Sequence, residues 1–233
     1  MLDERLELIA SLVPRCALAA DIGADHGLLG TALLRRGTAE RVLFADISKK
    51  ALSHARQTVR QNRLEDRACF AVADGLQALR AVEARCGCAV IAGMGGNTLA
   101  SILRGGAEYL APDSVLVLSA HTEHDEVRRT VEAIGYHITR EELVSCAGRY
   151  YIVWRAEHGA DAPWTEDELR CGKLLWQDVD ETKRGYARNR LNYLQIKLDG
   201  LRRNAATMEN DLAIAETERM MAFYRRVCER IEP

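Results

Sequence analysis

The stretch that decides the fold is Ala17-Leu-Ala-Ala-Asp-Ile-Gly-Ala-Asp-His-Gly-Leu-Leu-Gly30. Its first four residues are small and apolar, which indicates the end of a buried strand. Asp21 follows, and Gly23 and Gly27 then enclose the dipeptide Asp25-His26 before a new apolar run begins. Because glycine has no Cβ, a glycine turn between a strand and a helix lets a ligand approach the backbone closely. The spacing is not the dinucleotide fingerprint Gly-x-Gly-x-x-Gly, and similar turns occur in α/β proteins of other functions.

On both sides of this stretch, short apolar runs alternate with helical patterns. Apolar residues at helical spacing predict a first helix that ends at Pro14, and Ser48 is suited to cap a later helix. The apolar runs predict strands over residues 17–20, 41–46, 68–73, 89–92 and 115–118. Such alternation indicates a parallel sheet with helices on both faces, and therefore the α/β class.

The pattern changes after Gly135. Residues 136–145 and 149–156 form two extended runs that only Cys146-Ala-Gly148 separates. This connection is too short for a crossover helix, so the two runs are predicted to form an antiparallel hairpin at the end of the sheet.

The last third of the chain has no strand pattern. The polar segment Glu157–Pro163 predicts a boundary between a domain over residues 1–158 and a helical domain over residues 164–233. Two stripes at coiled-coil spacing follow: Ala187, Leu191, Leu194, Leu198 and Leu201, then Met220, Tyr224, Val227 and Ile231. We therefore expect two long helices in a coiled-coil-like hairpin, with a turn within Arg202–Thr207.

The composition is that of a globular protein with a sizeable core. With 233 residues and a formal net charge of −2, the chain is not a globally basic nucleic-acid binder, although a local basic face is still allowed. Its seven cysteines include no Cys-x-x-Cys pair, which favours reduced thiols. The acidic amphipathic start is unlike a signal peptide, and no apolar run is long enough to span a bilayer. We expect a cytoplasmic protein without a membrane partner.

Three acids follow three successive predicted strands. Asp21, Asp46 and Asp74 each stand where a strand ends, and ligands of open parallel sheets bind at that edge. Asp46 lies 19 residues after Gly27, near the spacing of an acid that binds ribose hydroxyls. Each acid alone is better explained as a helix cap or a solvated carboxylate. The three together with the glycine turn predict a site for a nucleoside-containing cofactor.

The turn from Asp21 to Gly27 resembles motif I of the class I S-adenosylmethionine-dependent methyltransferases, with Asp25 in place of the middle glycine. That resemblance implies a Rossmann-like methyltransferase sheet, and it gives Asp74 the adenine amino group as its partner. Gly93–Gly96 follows the fourth strand where methyltransferases of exocyclic amines carry Asn/Asp-Pro-Pro-Tyr. An exocyclic amine is therefore disfavoured as the methyl acceptor.

Three further blocks narrow the resemblance. Arg5-Leu-x-x-Ile-Ala-x-x-Val-Pro14, Val90-Ile-Ala-Gly-Met-Gly-Gly96 and Gly148-Arg-Tyr-Tyr-Ile152 accompany the Asp-Ile-Gly-x-Asp-His motif. Together they resemble the bacterial tRNA (adenine-22-N1)-methyltransferases of the TrmK type. This family implies S-adenosyl-L-methionine as cofactor and N1 of an adenine in the D-arm region of tRNA as the target. The family often has Leu-Gln-Pro-Asn after the fifth strand, whereas this chain has Leu118-Ser-Ala-His121, so no role is transferred to that loop.

The resemblance also assigns site residues by position. Independently of the resemblance, methylation at N1 leaves a positive charge on the base, and the carboxylate of Asp25 is expected to stabilise it. His26 is the second expected catalytic residue, although it is as well explained as a residue that shapes the loop. The residues expected to bind the cofactor are Asp21, Gly23, Gly27, Asp46, Ile47, Ser48, Asp74, Gly75, Gly93, Met94, Gly95 and Gly96.

The first long helix of the tail has a basic character that fits an RNA partner. Between residues 183 and 203 it carries seven basic residues and one acid, and basic side chains neutralise phosphates. The residues predicted to contact RNA are Lys183, Arg184, Tyr186, Arg188 and Arg190. A solvated helix flank is the alternative explanation. His121 and His124 are more simply a helix-start pair than a metal site, so no metal is expected.

These observations predict a tRNA (adenine-N1)-methyltransferase. Two alternatives stay open, namely a methyltransferase for another RNA or a small molecule, and a non-catalytic binder of S-adenosylmethionine. The oligomeric state is not determined by the sequence, with a monomer favoured.

Overall fold

The computed structural model describes residues 2–203 and 207–229, and the chain divides into two compact units, Met1–Pro163 and Trp164–Pro233. All strands of the described residues belong to the first unit. They are β1 (Cys16–Ile22), β2 (Ala39–Asp46), β3 (Ala68–Val72), β4 (Cys88–Met94), β5 (Val115–Ala120), β6 (Tyr136–Cys146) and β7 (Arg149–His158).

Eight α-helices accompany these strands in the described residues. The first unit contains α1 (Glu4–Leu12), α2 (Leu28–Arg36), α3 (Lys49–Gln61), α4 (Gly96–Arg104) and α5 (His124–Ala133). The second unit contains α6 (Glu166–Cys171), α7 (Glu181–Arg203) and α8 (Met208–Glu229). None of the helices in the described part of the chain combines the length and the apolar character needed to cross a lipid bilayer.

Local side-chain bonds determine where helices begin. The carboxylate of Asp3 accepts a hydrogen bond from the backbone N of Leu6 at 2.7 Å, which caps α1. The Ser48 hydroxyl accepts from the backbone N of Ala51 at 3.2 Å, which confirms the predicted cap of α3. Each cap satisfies one backbone N–H that the helix itself leaves unpaired.

The seven strands form one sheet in the order β3-β2-β1-β4-β5-β7-β6. Strands β1 to β5 pair in parallel, and β7 pairs antiparallel with both β5 and β6. This order confirms the predicted Rossmann-like methyltransferase sheet with its terminal antiparallel hairpin. The central strands are buried on both faces, as in β5, where all six residues are buried. Strands of this kind are continuous apolar runs, which is why the sequence located them.

The direction of the hairpin strands decides what lies beside the site. Because β7 is antiparallel to β5 and to β6, strand β6 runs in the same direction as the parallel strands. It therefore ends at Cys146 on the carboxyl edge of the sheet, and the turn at residues 147–148 lies at that edge. The first residues of β7 begin there as well.

In the second unit, α7 and α8 pack along each other in opposite directions. Asn210 donates to the carbonyl oxygen of Leu201 at 3.0 Å, and the rings of Tyr186 and Tyr224 lie 6.4 Å apart. These contacts join the end of α7 to the start of α8 and the start of α7 to the end of α8. The predicted helical hairpin is therefore present, while residues 204–206 of its expected turn lie outside the described residues.

The buried stripes of the two helices differ slightly from the predicted ones. In α7, Ala187, Leu194 and Leu198 are buried as expected. In α8 the buried residues are Thr217, Met221, Tyr224 and Val227. Met221 is buried, whereas the predicted Met220 is half-buried; both lie at helical spacing from Thr217 and Tyr224, so the stripe includes Met221 beside the predicted residue. Ile231 lies outside the described residues.

Candidate active site

The acids predicted at strand ends do lie at one edge of the sheet. In the register of the sheet, Ile22 pairs with Ala45, and Asp46 pairs with Val72. Asp21 is the penultimate residue of β1, Asp46 is the last residue of β2, and Asp74 follows β3 by two residues. Since these strands are parallel neighbours, their carboxyl ends bring the three acids to the same edge.

Asp21 is the buried member of this set. Its carboxylate accepts a hydrogen bond from the backbone N of Gly30 at 3.0 Å and so ties the end of β1 to the first turn of α2. Burial raises its pKa to about 6; the bond from Gly30 acts in the opposite direction, and the nearby charge of Asp46 raises the pKa further. The geometry makes Asp21 a support of the glycine turn.

The glycine turn depends on left-handed backbone conformations. Gly27 has a φ of +66°, and a Cβ on it would lie 2.9 Å from the Cα of Ala55 in α3. No side chain fits there, so the turn packs directly against α3. Asp25 also has a positive φ, +30°, which is uncommon for a residue with a side chain.

Asp46 connects this turn to α3. One carboxylate oxygen accepts from the backbone N of Ser48 at 2.7 Å, and the other accepts from the backbone N of Asp25 at 3.4 Å. The backbone of the predicted catalytic residue thus contacts the acid predicted to bind ribose. Asp74 is exposed, and its side chain does not cap the 3-10 helix that begins at Gly75, so its carboxylate is available to a ligand.

Two exposed apolar side chains flank these acids. Ile47, directly after β2, is 73% exposed, and Val72, at the end of β3, is 58% exposed. Large apolar side chains at adjacent strand ends suit the faces of a flat ring. Ile47 was predicted from the sequence as a cofactor-binding residue. Val72 was not, because as the last residue of an apolar strand it has no feature that marks it as a ligand contact.

The end of β4 is bare, as predicted from its glycines. A Cβ on Gly96 would collide with the carbonyl oxygens of Thr122 and Glu123, so this glycine lets the segment after β5 approach the start of α4. A Cβ on Gly23 would lie 3.2 Å from the terminal methyl carbon of Met94. The side chain of Met94 therefore reaches the glycine turn from the neighbouring strand.

Asp25 and His26 are both exposed and lie beside a histidine of α3. The Nε2 atom of His26 is 3.5 Å from Oδ2 of Asp25, and the His26 and His54 rings stack with centroids 5.1 Å apart. The three side chains offer potential ligand atoms that all lie within 4.8 Å of one another. The structure thus brings His26 and His54 together, whereas His121 and His124 were the pair considered as metal ligands from the sequence.

A cavity of about 460 Å³ joins the glycine turn to parts of the chain that are distant in sequence. Its walls come from the start of α1, the end of β1 with the glycine turn, the end of β4, the segment after β5 and the start of β7. The polar and aromatic side chains that line it are Asp3, Arg5, Asp21, Asp25, His26, His121, Cys146 and Tyr151.

The wall that Arg5, His121 and Tyr151 form was not predicted from the sequence. The guanidinium carbon of Arg5 lies 5.3 Å from the centroid of the Tyr151 ring, and the His121 ring meets that ring edge-on at 5.8 Å. The backbone N of His121 donates to the carbonyl oxygen of Met94 at 2.9 Å, which fixes the segment after β5 beside β4. Arg5 and Tyr151 belong to two of the quoted family blocks, which was the available signal.

Two of the residues predicted to contact RNA are in the wrong place. Lys183 is only 8% exposed and its Nζ donates to the carbonyl oxygen of Asp178 at 2.7 Å. Tyr186 is 6% exposed and stacks on Trp176 with ring centroids 6.1 Å apart. The structure argues against both contacts, because a buried ammonium that is already bonded and a ring inside an aromatic cluster are not presented to a partner.

The other predicted contacts lie on or near the surface of α7. Arg184 and Arg188 each approach the carboxylate of Glu181 at 3.6 Å. Arg190 is half-buried with its guanidinium carbon 5.0 Å from the centroid of the Tyr193 ring. Of these, Arg188 is the most exposed, with 66% of its side chain accessible. Exposed ion pairs of this length contribute little to stability, so they leave the cations free to exchange partners.

Comparisons with known proteins agree with this geometry. Residues 2–154 match the methyltransferase domain family. The tRNA (adenine(22)-N(1))-methyltransferase of Bacillus subtilis is 25% identical over 232 residues, which cover 99% of this chain and 94% of that protein. A putative tRNA methyltransferase of Mycoplasma pneumoniae is 30% identical over 181 residues, covering 76% of this chain and 82% of its own.

A solved structure shows the same fold. The Streptococcus pneumoniae protein described as a putative tRNA (m1A22) methyltransferase, in complex with S-adenosyl-L-methionine, superposes with a TM-score of 0.84. It is 24% identical, and the match covers 98% of this chain and all of that one. The domain match and the relatives together show that the chain belongs to the TrmK type of class I methyltransferases.

Proposed function

We propose that this protein transfers the methyl group of S-adenosyl-L-methionine to N1 of an adenine in the D-arm region of tRNA. The observation that carries the proposal is the cavity that Asp25 lines together with the end of β4. The relatives named above as tRNA methyltransferases support the choice of substrate.

The residues at the carboxyl edge fit the cofactor. Asp46 is suited to the ribose hydroxyls and the exposed Asp74 to the adenine amino group, while Ile47 and Val72 provide apolar contact for the adenine ring. The glycine turn lines the cavity beside the end of β4, which places its backbone next to the space proposed for the methionine portion. When bound, S-adenosylmethionine supplies an electrophilic methyl group on a sulfonium.

The chemistry at the acceptor needs little acid–base help. Adenine N1 has a free lone pair, so no proton has to leave before it attacks the methyl carbon, and the main task of the protein is to align the two atoms in a cavity with little water. Methylation leaves a positive charge on the base. We assign Asp25 to stabilise that charge as it develops and His26 to position the base or the cofactor.

The acceptor atom also dictates how RNA is engaged. N1 lies on the Watson–Crick edge, so a paired target adenine has to leave its helix before it enters the cavity. On α7 we retain Arg184, Arg188 and Arg190 as proposed phosphate contacts and no longer include Lys183 and Tyr186.

We further propose that the protein acts as a monomer in the cytoplasm, which light scattering and fractionation of cells would test.

Transfer of labelled methyl groups tests the proposal. The protein is incubated with labelled S-adenosylmethionine and with total tRNA, total rRNA or a small-molecule extract, and the labelled nucleosides are identified. We expect 1-methyladenosine in tRNA, mapped to the D-arm region. Label only in rRNA or small molecules would support the first alternative, and cofactor binding without transfer to any acceptor would support the non-catalytic binder.

A further inference from the structure

We propose that Arg5 and Tyr151 form a nucleotide clamp in the wall of the cavity, in which Arg5 binds a backbone phosphate at the target nucleotide and Tyr151 stacks on its base. This inference rests on the proposed function, because it takes the acceptor to be a nucleotide of RNA. It assigns a role to a wall of the cavity that lies apart from the residues assigned to the cofactor.

Arg5 is a cation inside the cavity without an anionic partner. Among residues 2–203 and 207–229, its guanidinium forms neither an ion pair nor a hydrogen bond, and its one described interaction is with the ring of Tyr151. The side chain is half-buried and reaches the end of β4, since a Cβ on Gly93 would lie 3.7 Å from Nη1 of Arg5. A half-buried guanidinium in a cavity is a suitable site for an anion.

Four acids near Arg5 have another described partner, the first being Asp3, which accepts a hydrogen bond from the backbone N of Leu6. Glu4, its neighbour in α1, accepts a bond from the thiol of Cys146 at 3.2 Å, and Glu7 forms an ion pair with Arg36 at 2.7 Å. Asp21 is bonded to the backbone of Gly30. The fold thus leaves the guanidinium available while it uses the adjacent carboxylates for structure.

The reaction favours a neutralised guanidinium. Methyl transfer moves the positive charge from the sulfonium of the cofactor to the adenine ring, so an unpaired guanidinium beside that ring would disfavour the transfer. A phosphate bound to Arg5 removes this penalty. Because the target nucleotide carries phosphates on both sides, the substrate brings the required anion with it.

The methionine carboxylate of the cofactor is the other source of an anion, and the fold offers it a different place. The glycine turn leads into the first turn of α2, where Leu28 and Leu29 line the cavity. The first N–H groups of a helix have no partner within the helix and bind anions well. With these donors near the glycine turn, Arg5 is left for the phosphate.

Tyr151 is held in position for a base. In the hairpin it pairs with Val144, Arg5 covers its ring at 5.3 Å, and His121 meets the ring edge-on. The ring is half-buried, so part of it faces the cavity. RNA-binding proteins commonly hold an unpaired base by stacking it on an aromatic ring or on a guanidinium plane.

The test compares Arg5→Met and Arg5→Lys with the control Arg15→Met. Arg15 is exposed, does not line the cavity and directly precedes β1 at the opposite edge of the sheet, so the control removes the same charge away from the site. Binding of tRNA and of S-adenosylhomocysteine is measured separately over a range of salt concentrations. We expect Arg5→Met to bind tRNA about tenfold or more weakly, since hydrogen bonds to charged groups are worth about 1.5–3 kcal/mol.

The salt dependence identifies the anion. Loss of one phosphate contact lowers the slope of log K against log salt by about 0.7–0.9 in Arg5→Met, with an intermediate effect in Arg5→Lys and none in Arg15→Met. Affinity for S-adenosylhomocysteine is expected to stay unchanged in all three. A fall in that affinity with an unchanged tRNA slope would overturn the clamp in favour of the cofactor carboxylate, and no change in either would remove Arg5 from ligand binding.

Tyr151 has its own pair of variants. We expect Tyr151→Phe to retain most methyl transfer, because it keeps the ring, and Tyr151→Leu to raise KM for tRNA about tenfold, since stacking on one base is worth about 1–3 kcal/mol. Equal activity of the two variants would overturn the stacking role. If the wild type binds tRNA with the Arg5-dependent slope yet forms no 1-methyladenosine, the proposed function fails while the clamp stands.

Discussion

The carboxylate of Glu141 and the guanidinium of Arg128 form a fully buried ion pair in the first unit. The Nε atom of Arg128 lies 2.8 Å from Oε1 of Glu141, and the two side chains are 1% and 0% exposed. Trp154 donates its indole N–H to the same oxygen at 2.9 Å. This cluster fixes α5 to the hairpin and thereby supports the segment that carries His121.

We expect Glu141→Ala to lower the free energy of unfolding by about 3–5 kcal/mol, because it removes the carboxylate that pairs with the buried guanidinium of Arg128. Glu141→Gln keeps an oxygen acceptor for Trp154 and should lose less. Denaturant unfolding followed by circular dichroism measures both. A loss below about 1 kcal/mol in the alanine variant would mean that water or another acceptor replaces the carboxylate.

The raised pKa of Asp21 predicts a dependence of stability on pH. Between the ordinary value of 3.8 and about 6, the folded protein holds a proton that the unfolded chain has released. Raising the pH through this window therefore lowers the free energy of unfolding, by on the order of 2–3 kcal/mol. In Asp21→Asn, whose amide oxygen still accepts from Gly30, this contribution should disappear. Unfolding at about pH 4 and about pH 7 in both proteins checks it, and parallel profiles would contradict it.

Gly27 and Gly37 allow the effect of backbone strain on stability to be distinguished from the effect of crowding, because their φ angles are nearly equal. Gly27 and Gly37 have φ of +66° and +67°, but only at Gly27 would a Cβ meet another residue. We expect Gly37→Ala to cost about 1–2 kcal/mol of stability and Gly27→Ala about 2–5 kcal/mol, with cofactor affinity lowered in the second alone. Thermal unfolding and calorimetric titration with S-adenosylhomocysteine distinguish the two. Equal losses would show that crowding against Ala55 is unimportant.

Asp25→Asn should lower the rate of methyl transfer to tRNA about a hundredfold, by analogy with the removal of one stabilising group from other active sites. Its binding of cofactor and tRNA should be near normal, because the amide preserves the shape of the side chain and its backbone N still reaches Asp46. Single-turnover transfer and separate binding titrations check this. Normal turnover would exclude Asp25 from charge stabilisation.

The basic surface of α7 predicts a graded response to charge removal. The double variant Arg184→Ala/Arg188→Ala should lower the salt slope of tRNA binding by about 1.4–1.8. The double variant Arg225→Ala/Arg226→Ala removes two exposed charges from α8 and serves as the control. Lys183→Met should leave the slope unchanged, since that ammonium is bonded internally. Equal slopes for the two double variants would mean that α7 has no special role.

The parts of the fold that the sequence predicted are those governed by local patterns. Apolar runs located the parallel strands, the short connection at residues 146–148 indicated the hairpin, and Ser48 marked the start of α3. The acids at strand ends lie at one edge because the carboxyl ends of parallel strands share an edge, whatever the order of the strands. For this reason the cofactor side of the site was visible in the sequence.

The opposite wall of the cavity was not visible, because it depends on tertiary register. Arg5, His121 and Tyr151 come from three segments that meet only when the hairpin turn reaches the carboxyl edge. The burial of Lys183 on α7, which was predicted to contact RNA, has a simpler cause. Lys183 stands four residues before Ala187, so extending the apolar stripe back by one step places it on the buried face. The basic residue type suggested a phosphate contact, but the position of Lys183 in the helix places its side chain on the buried face.

The bond between the Cys146 thiol and Glu4 joins residues 142 positions apart in the sequence. It closes the cavity between the first helix and the last hairpin of the unit, so the site has a very high contact order. Contacts of this kind carry a large loop-closure entropy and are favoured only after the intervening sheet has formed. Binding of cofactor and tRNA therefore reports that the whole first unit has folded, and a ribosome-bound chain that has not yet exposed residues 146–151 would lack the site.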